Sequence, residues 1–314
     1  MDRGKNFVRI LYWNANGIYS RLFQLYDFLC ENFVDICCIS ETHLKLEIHL
    51  HSHPEFRIYR LDRIDARLGG VLIIVRRSIK HELLPSLQTS LLENIGIEVI
   101  CSRRKFHVYS CYNPGGSSNS QIRSFLNADL NKMSRRNASF LSVGDFNAKH
   151  RSWNCDRANL SGSILFDNAF ENQCFVLHPN EPTHFPVDPN KSPSTIDLIL
   201  TNGHLQLTDP YTTVCLGSDH NGVIFDVKLD ESLEQVPLGF KPSYKDTDWV
   251  KYKSLVEQKI MNDRLHLADV TETHQIDQFI VKFTTVLQSA QKESVPMKHQ
   301  DKCGLELAQI ELRT

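Results

Sequence analysis

Six short apolar runs in this chain end in, or run straight into, an acid, amide, tyrosine or histidine, and that recurrence restricts its fold more than any other feature. Leu11-Tyr12-Trp13 gives way to Asn14, and Ile36-Cys37-Cys38-Ile39 to Ser40-Glu41. Val108-Tyr109-Ser110-Cys111 ends at Tyr112, and Phe140-Leu141-Ser142-Val143 opens into Gly144-Asp145-Phe146-Asn147. Asp197 lies inside Ile196-Asp197-Leu198-Ile199-Leu200, and Ser218-Asp219-His220 precedes Val223-Ile224-Phe225. A strand apolar along its length and polar at its tip delivers a rigidly placed side chain to a sheet edge. Six such tips in one chain point to a common edge that carries chemistry.

Short runs rich in β-branched residues predict strands over Val8–Trp13, Val34–Ile39, Gly70–Val75, Ile95–Cys101, Phe106–Tyr112, Ser139–Val143, Thr195–Leu200 and Val223–Leu229. Between them, Ser20–Asn32 sets Leu22, Leu25, Tyr26 and Leu29 at helical spacing behind a serine N-cap. Ser120–Met133 and Ser163–Gln173 read as helices by the same test. Gly69-Gly70 and residues 113–116 read as turns. The mixture predicts an α/β layered sandwich. Residues 231–243, with Pro237, Gly239 and Pro242, read as a linker. Helical periodicity over Asp248–Gln258 and Asp277–Glu293 makes 244–314 a helical appendage without chemistry. The chain stops without an evident terminating element, which suggests a longer parent.

At 314 residues and 41% hydrophobic content the chain can build a sizeable core. Its net charge is −2, and Lys+Arg balance Asp+Glu over residues 1–230, so any nucleic-acid contact must come from local basic patches. Nine scattered cysteines with no Cys-x-x-Cys pair favour reduced thiols and an intracellular protein. Apolar stretches fall short of the ~18 residues that span a bilayer, and the N-terminus lacks a secretory core.

Tyr12-Trp13-Asn14-Ala15-Asn16-Gly17, Ile39-Ser40-Glu41-Thr42, Tyr112-Asn113-Pro114, Gly144-Asp145-Phe146-Asn147-Ala148-Lys149-His150, Ser194-Thr195-Ile196-Asp197 and Ser218-Asp219-His220, in that order, resemble the endonuclease/exonuclease/phosphatase family. More narrowly, they resemble the endonuclease domain of jockey-type non-LTR retrotransposons. The resemblance spans residues 8–229. It implies a four-layer sandwich of two mostly antiparallel sheets flanked by helices, followed here by a helical C-terminal tail. It also implies a Mg²⁺-dependent nuclease (Mn²⁺ as a substitute) that nicks double-stranded DNA to leave a 3′-hydroxyl for target-primed reverse transcription. Element RNA and a reverse transcriptase domain are the implied partners in the intact parent. The implied location is the nucleus, after transit through the cytoplasm, with no membrane association.

Carried onto matching positions, the resemblance makes Glu41, Asp219 and Asn16 metal ligands. An oxygen donor set suits Mg²⁺, which takes one or two carboxylates and keeps its waters. Asp145 becomes the base and Asn147 orients water or phosphate. His220 meets the scissile phosphate while Asp197 accepts its other ring proton, which also explains a carboxylate inside an apolar run. Asn14 and Tyr112 supply neutral donors. Lys149, His150 and Arg151 are the implied contacts to flanking phosphates, and the polar, proline-rich stretch 182–194 a groove-probing hairpin with Thr183, Asn190, Lys191 and Ser194 as its contacts. Such readout senses groove shape more than base identity. The run His49-x-His51-x-His53 reads as an exposed loop, and Trp13 and Trp153 as packing residues.

Two positions depart from the abasic-site repair enzymes of the family, which have an aspartate where this chain has Asn16 and an asparagine where it has Gly115. Both departures weigh against abasic-site cleavage. The rival readings are another phosphodiesterase of the superfamily (an abasic-site endonuclease or an inositol or lipid phosphatase) and a catalytically inactive transposon remnant that only binds DNA.

Overall fold

The computed structural model describes residues 6–63, 68–101, 104–135, 138–214, 217–229, 240–242, 246–262 and 273–299. It opens with β1 (Phe7–Asn14), α1 (Leu22–Glu31) and β2 (Ile36–Ser40). β3 (Phe56–Leu61), β4 (Val71–Arg76), β5 (His81–Leu83), β6 (Glu93–Ile100) and β7 (Lys105–Tyr112) follow. One turn of helix, α2 (Asn119–Gln121), runs through a π-helical turn into α3 (Asn127–Ser134). Then come β8 (Ser139–Asp145), α4 (Leu160–Glu171), β9 (Phe175–Leu177) and β10 (Asp197–Thr201). β11 (Gln206–Leu207), β12 (Tyr211–Thr213) and β13 (Gly222–Lys228) close this part of the chain.

These strands form two sheets. One has the order β11-β13-β1-β2-β4-β3, with β12 also on β13; the other runs β5-β6-β7-β8-β10-β9. Pairing is antiparallel except between β1 and β2, joined through α1, and between β7 and β8, joined through α2 and α3. Alternation along the strands sorts side chains into layers. Ile10, Tyr12, Cys38 and Ile73 of the first sheet meet Ile97, Val108, Val143 and Ile199 of the second in a central core. The opposite face of the first sheet, with Leu11, Trp13, Cys37 and Ile74, is covered by Leu22, Leu25 and Leu29 of α1. Phe140, Leu198 and Leu200 of the second sheet meet Leu130 and Met133 of α3 and Leu165 of α4. The result is the four-layer α/β sandwich the sequence predicts. Its strands are buried on both faces, which is why they read as continuous apolar runs.

All eight predicted strands are present. These two sheets add β3 and four shorter strands, β5, β9, β11 and β12; β3, β5, β9 and β11 sit at sheet edges. Ser20 does not cap α1. The residue preceding the helix is Arg21, without a side-chain cap, and its guanidinium turns to a loop described below.

The chain divides into two compact units, Met1–Val236 and Pro237–Thr314. The second unit contains β14 (Phe240–Pro242), α5 (Trp249–Asn262), α6 (Thr273–Ser294) and β15 (Met297–His299), with β14 paired antiparallel to β15. Most of the 231–243 stretch read as a linker lies outside the described residues, as do 300–314; 240–242 are strand rather than linker. No helix among the described residues is long and apolar enough to cross a membrane. The described cysteines are free thiols.

Candidate active site

Register brings the polar tips together. Asn14 pairs with Ser40 at the shared end of β1 and β2, Tyr112 with Asp145 at the end of β7 and β8, and Asp145 with Asp197 across β8 and β10. The two aspartates are opposed across an antiparallel pair and fully buried, an arrangement that like charges disfavour. The cation that offsets it is His220. Its Nδ1 lies 2.8 Å from Asp197 Oδ2 and its Nε2 lies 3.9 Å from Asp145 Oδ2. Burial opposes the imidazolium, but Asp197 and then Asp145 outweigh it and lift its pKa to about 9. Burial, reinforced by Asp197, pushes the Asp145 carboxyl upward, against the opposing pull of His220. The chain therefore keeps one positive imidazolium between two buried carboxyl groups.

Each member is held by its surroundings. Asp145 Oδ1 accepts from the Asn147 backbone N–H (2.8 Å), and Oδ2 from Asn14 Nδ2 (3.0 Å). The same Asn14 amide donates to Glu41 Oε1 at 3.0 Å, so one buried asparagine ties the two carboxylates together. Tyr112 is hydrogen-bonded to Glu41, and burial, with the charges of Glu41 and Asp145, raises its phenol far above the ordinary range and keeps it protonated. Asp197 is anchored through its backbone N–H to Thr183 Oγ1 (3.2 Å), and Trp13 Nε1 donates to the His220 carbonyl (3.3 Å). Trp13 and Trp153 are buried packing residues as read, each with its indole N–H satisfied.

A second, more open cluster adjoins this triad. Asp219 Oδ1 accepts from Asn16 Nδ2 (3.2 Å), and the His184 Nε2 lies 3.8 Å from its other oxygen. Burial raises the Asp219 carboxyl, but His220, the Asn16 hydrogen bond and His184 hold it below its usual value. Asn16, expected as a metal ligand, faces Asp219 with its N–H₂ and so acts here as a donor to a carboxylate. Glu41 Oε2 faces His43 Nε2 at 3.2 Å. Asn16, Glu41, His43 and Asn147 all have positive φ, between 42° and 54°. Left-handed backbone at non-glycine residues costs energy and concentrates where side chains must be aimed.

The loops that carry these residues are themselves clamped. Arg21 Nη1 donates to the carbonyls of Ala15 (2.7 Å), Asn16 (3.2 Å) and Gly17 (2.9 Å), and its Nη2 reaches the Gly217 carbonyl (3.3 Å). One guanidinium thus joins the Asn16 loop to the loop leading into Asp219. Asn159, the N-cap of α4, accepts from the Lys149 N–H (2.9 Å) through its Oδ1 and donates from Nδ2 to the Asn147 carbonyl (2.8 Å). Gly162 in the first turn of α4 packs so close that a Cβ there would lie 1.9 Å from the Lys149 carbonyl oxygen. The sequence reading missed Arg21, Asn159, Gly162, Tyr12 and His184. Tyr12 looked like one more apolar core residue, yet its hydroxyl oxygen accepts from the Asp145 N–H at 2.7 Å.

The expected DNA contacts divide. Thr183 and Ser194 are buried; their backbones bridge the base of the 182–194 loop, and they cannot serve as surface contacts. Loop position suggested exposure, but the strand-like bridge of His184 to Ser194 and to His220 folds this segment inward. Asn190 and Lys191 are exposed at its tip, where Asn190 bonds Asp188. Arg151 is exposed and Lys149 half-buried. The His150 ring is engaged, accepting from the Ser152 N–H at 3.2 Å and stacking on Phe166 with centroids 4.5 Å apart. Gly115 lies against Asn147, and a Cβ there would lie 3.2 Å from Asn147 Nδ2, so a larger residue would crowd that amide.

Residues 11–220 match the model of the endonuclease/exonuclease/phosphatase family. The chain is 25% identical over 303 residues to an RNA-directed DNA polymerase from the mobile element jockey of Drosophila funebris, covering 94% of this chain and 31% of that protein. Across the curated relatives it matches, the chain spans between 23% and 31% of their length. The endonuclease domain of TRAS1, a telomere-specific non-LTR retrotransposon, superposes with a TM-score of 0.58 at 17% identity, over 71% of this chain and all of that one. The Xenopus laevis APE2 catalytic domain gives 0.55 at 17% identity, over 70% of this chain and 92% of its own.

Proposed function

The chain belongs to the endonuclease/exonuclease/phosphatase family, and from that we propose that it is a Mg²⁺-dependent endonuclease that nicks one strand of duplex DNA. The observation that carries the reading is the triad: a His220 imidazolium bonded to Asp197 at 2.8 Å and set 3.9 Å from Asp145, beside the hard carboxylates of Glu41 and Asp219. Phosphodiester hydrolysis needs an oriented water, a base for its proton, and positive charge on the phosphoryl oxygens.

Asp145 takes the proton of the attacking water, its carboxyl raised by burial toward the working range of a base. Asn147, aimed by its left-handed backbone, holds the water or a phosphate oxygen. His220 donates from Nε2 to the phosphate, while Asp197 fixes Nδ1–H and keeps the ring charged. Water attacks phosphorus, the P–O3′ bond breaks, the leaving 3′-oxygen takes a proton from solvent, and the products are a 3′-hydroxyl and a 5′-phosphate. Glu41 and Asp219 offer the oxygen-only donor set that Mg²⁺ prefers, and Mn²⁺ accepts the same donors. Bound there, the cation supplies Lewis-acid stabilisation of the phosphate charge. Asn14 and Tyr112 position Glu41 and Asp145, and Asn16 positions Asp219. Lys149, Arg151, Asn190 and Lys191 contact the flanking duplex.

In a parent protein of the kind the chain resembles, the 3′-hydroxyl would prime reverse transcription of element RNA on nuclear DNA. Purified protein with supercoiled plasmid and Mg²⁺ tests the core of this reading: nicked circles are expected, dependent on the cation and lost in EDTA. Salt-sensitive binding without nicking would replace it with a DNA-binding remnant, and release of inorganic phosphate from an inositol phosphate would replace it with a phosphatase.

Arg21→Gln tests the loop clamp. It removes the guanidinium that holds the carbonyls beside Asn16 and the Gly217 carbonyl before Asp219. The Mg²⁺ concentration for half-maximal nicking should rise about 10-fold or more, the usual effect of losing an outer-shell partner. The rate at saturating Mg²⁺ should change far less. An unchanged Mg²⁺ dependence would remove Arg21 from this role.

A further inference from the structure

Ligand-type atoms of His184, Asp219 and His220 all lie within 4.8 Å of one another. We propose that these three residues form a site for a soft divalent cation, Zn²⁺ above all, and that its occupation blocks the nuclease. This site shares Asp219 with the oxygen donors assigned to Mg²⁺ but differs in chemistry, because its other two donors are imidazoles, which suit Zn²⁺ and not Mg²⁺.

Its parts are already arranged. The Asp197 carboxylate sits behind the His220 ring at 2.8 Å from Nδ1, the carboxylate–histidine arrangement that fixes a zinc ligand's tautomer and directs Nε2 at the metal. His184 is held by backbone bridges to Ser194 and to His220, and its ring centroid lies 4.5 Å from that of His220. Its Nε2 is 3.8 Å from Asp219 Oδ2, and its buried Nδ1 has no hydrogen-bond partner. A tetrahedral Zn²⁺ with bonds of about 2.0–2.1 Å brings its donors to about 3.3 Å. The His184 and Asp219 side chains are both partly exposed, at 22% and 27%, and that closure draws them toward the metal. Zn²⁺ replaces the Nε2 proton of His220, which leaves to solvent, and the ring can then no longer donate to a phosphate. Asp145, Asp197 and His220 also lie within that distance of one another, but there His220 Nδ1 is already bonded to Asp197 at 2.8 Å and only one donor is an imidazole.

Cation binding is independent of the proposed function; only the block on nicking rests on it. Zn²⁺ titrated calorimetrically into metal-free protein should bind wild type. Asp197→Asn should weaken it by about 10- to 100-fold, and His184→Phe, which keeps a ring beside His220, by at least as much. X-ray absorption of the Zn²⁺-loaded wild type should show a nitrogen and oxygen shell with imidazole scattering. A sulfur shell, or equal affinity in His184→Phe, overturns the site. In nicking assays with excess Mg²⁺, each protein compared with its own Zn²⁺-free rate, Zn²⁺ should inhibit wild type far more than His184→Phe; equal fractional inhibition of both overturns the block while leaving the binding result to stand alone. The absorption measurement needs no variant, so a misfolded substitution cannot rescue the proposal.

Discussion

Asp145→Asn should reduce plasmid nicking by about 10²- to 10⁴-fold, the range lost with a general base, while making the metal-free protein more stable at neutral pH. The two effects have one origin. Burial and the facing Asp197 raise the Asp145 carboxyl in the folded state, so the native protein binds a proton that the unfolded chain has already released. Stability therefore falls as pH climbs from the ordinary carboxyl range through the raised value. The amide keeps an oxygen for the Asn14 and Asn147 donors and removes that loss. Thermal unfolding in EDTA at pH 5 and pH 8 should show the variant gaining on wild type at the higher pH. Retained nicking would refute the assigned base, and a variant less stable at pH 8 would refute the account of its burial.

Asp197→Asn should remove the carboxylate that keeps His220 charged. The imidazolium pKa, about 9 in the wild type, should fall below the ordinary histidine value, because burial, the largest influence on it, is then opposed by Asp145 and Asp219 alone. Nicking at pH 8 should drop about 10²- to 10³-fold, as expected for one lost donor to a developing oxyanion, and the alkaline limb of the pH profile should move down with the imidazole. A folded histidine pKa above the unfolded one adds stability that is complete below about 6.5 and is lost as pH rises through about 9. The variant should lack that decline between pH 6.5 and 9. Nitrogen NMR of the His220 ring reads the pKa directly, and an unshifted value would detach Asp197 from it.

The polar edge was legible because its residues break a pattern. An aspartate in the run Ile196–Leu200, or an acid closing Phe140–Val143, contradicts burial unless a partner waits, and both found His220. The edge strand β3 was not legible. Arg57 and Arg60 interrupt Phe56–Leu61, and edge strands tolerate charge that central ones do not. Thr183 and Ser194 misled in the opposite sense: proline and serine around them signal a surface loop, while the backbone bridges of Ser194 to Thr183 and His184 bury them. Arg21 and Gly162 act through backbone carbonyls, and a side chain that serves the backbone of another segment leaves no trace in spacing. Asn159 did leave one, since an asparagine ahead of a helical run is a cap signal, but its second task of holding Asn147 depends on the fold.

The pairing of β1 with β13 has a bearing on when activity can arise. Tyr12 aligns with Val223, so the strand that carries Asn14 stays incomplete in the sheet until the chain has been made past residue 228. At about 5–20 residues per second, the ribosome needs about 4–15 s to go from Asp145 to His220. During that interval the nascent chain holds Glu41 and Asp145 without the cation between the carboxylates. A product released early by a premature stop would carry Glu41 and Asp145 but lack the imidazolium that sits between the carboxyl groups. The topology thus ties completion of the cluster to synthesis of the sandwich through β13.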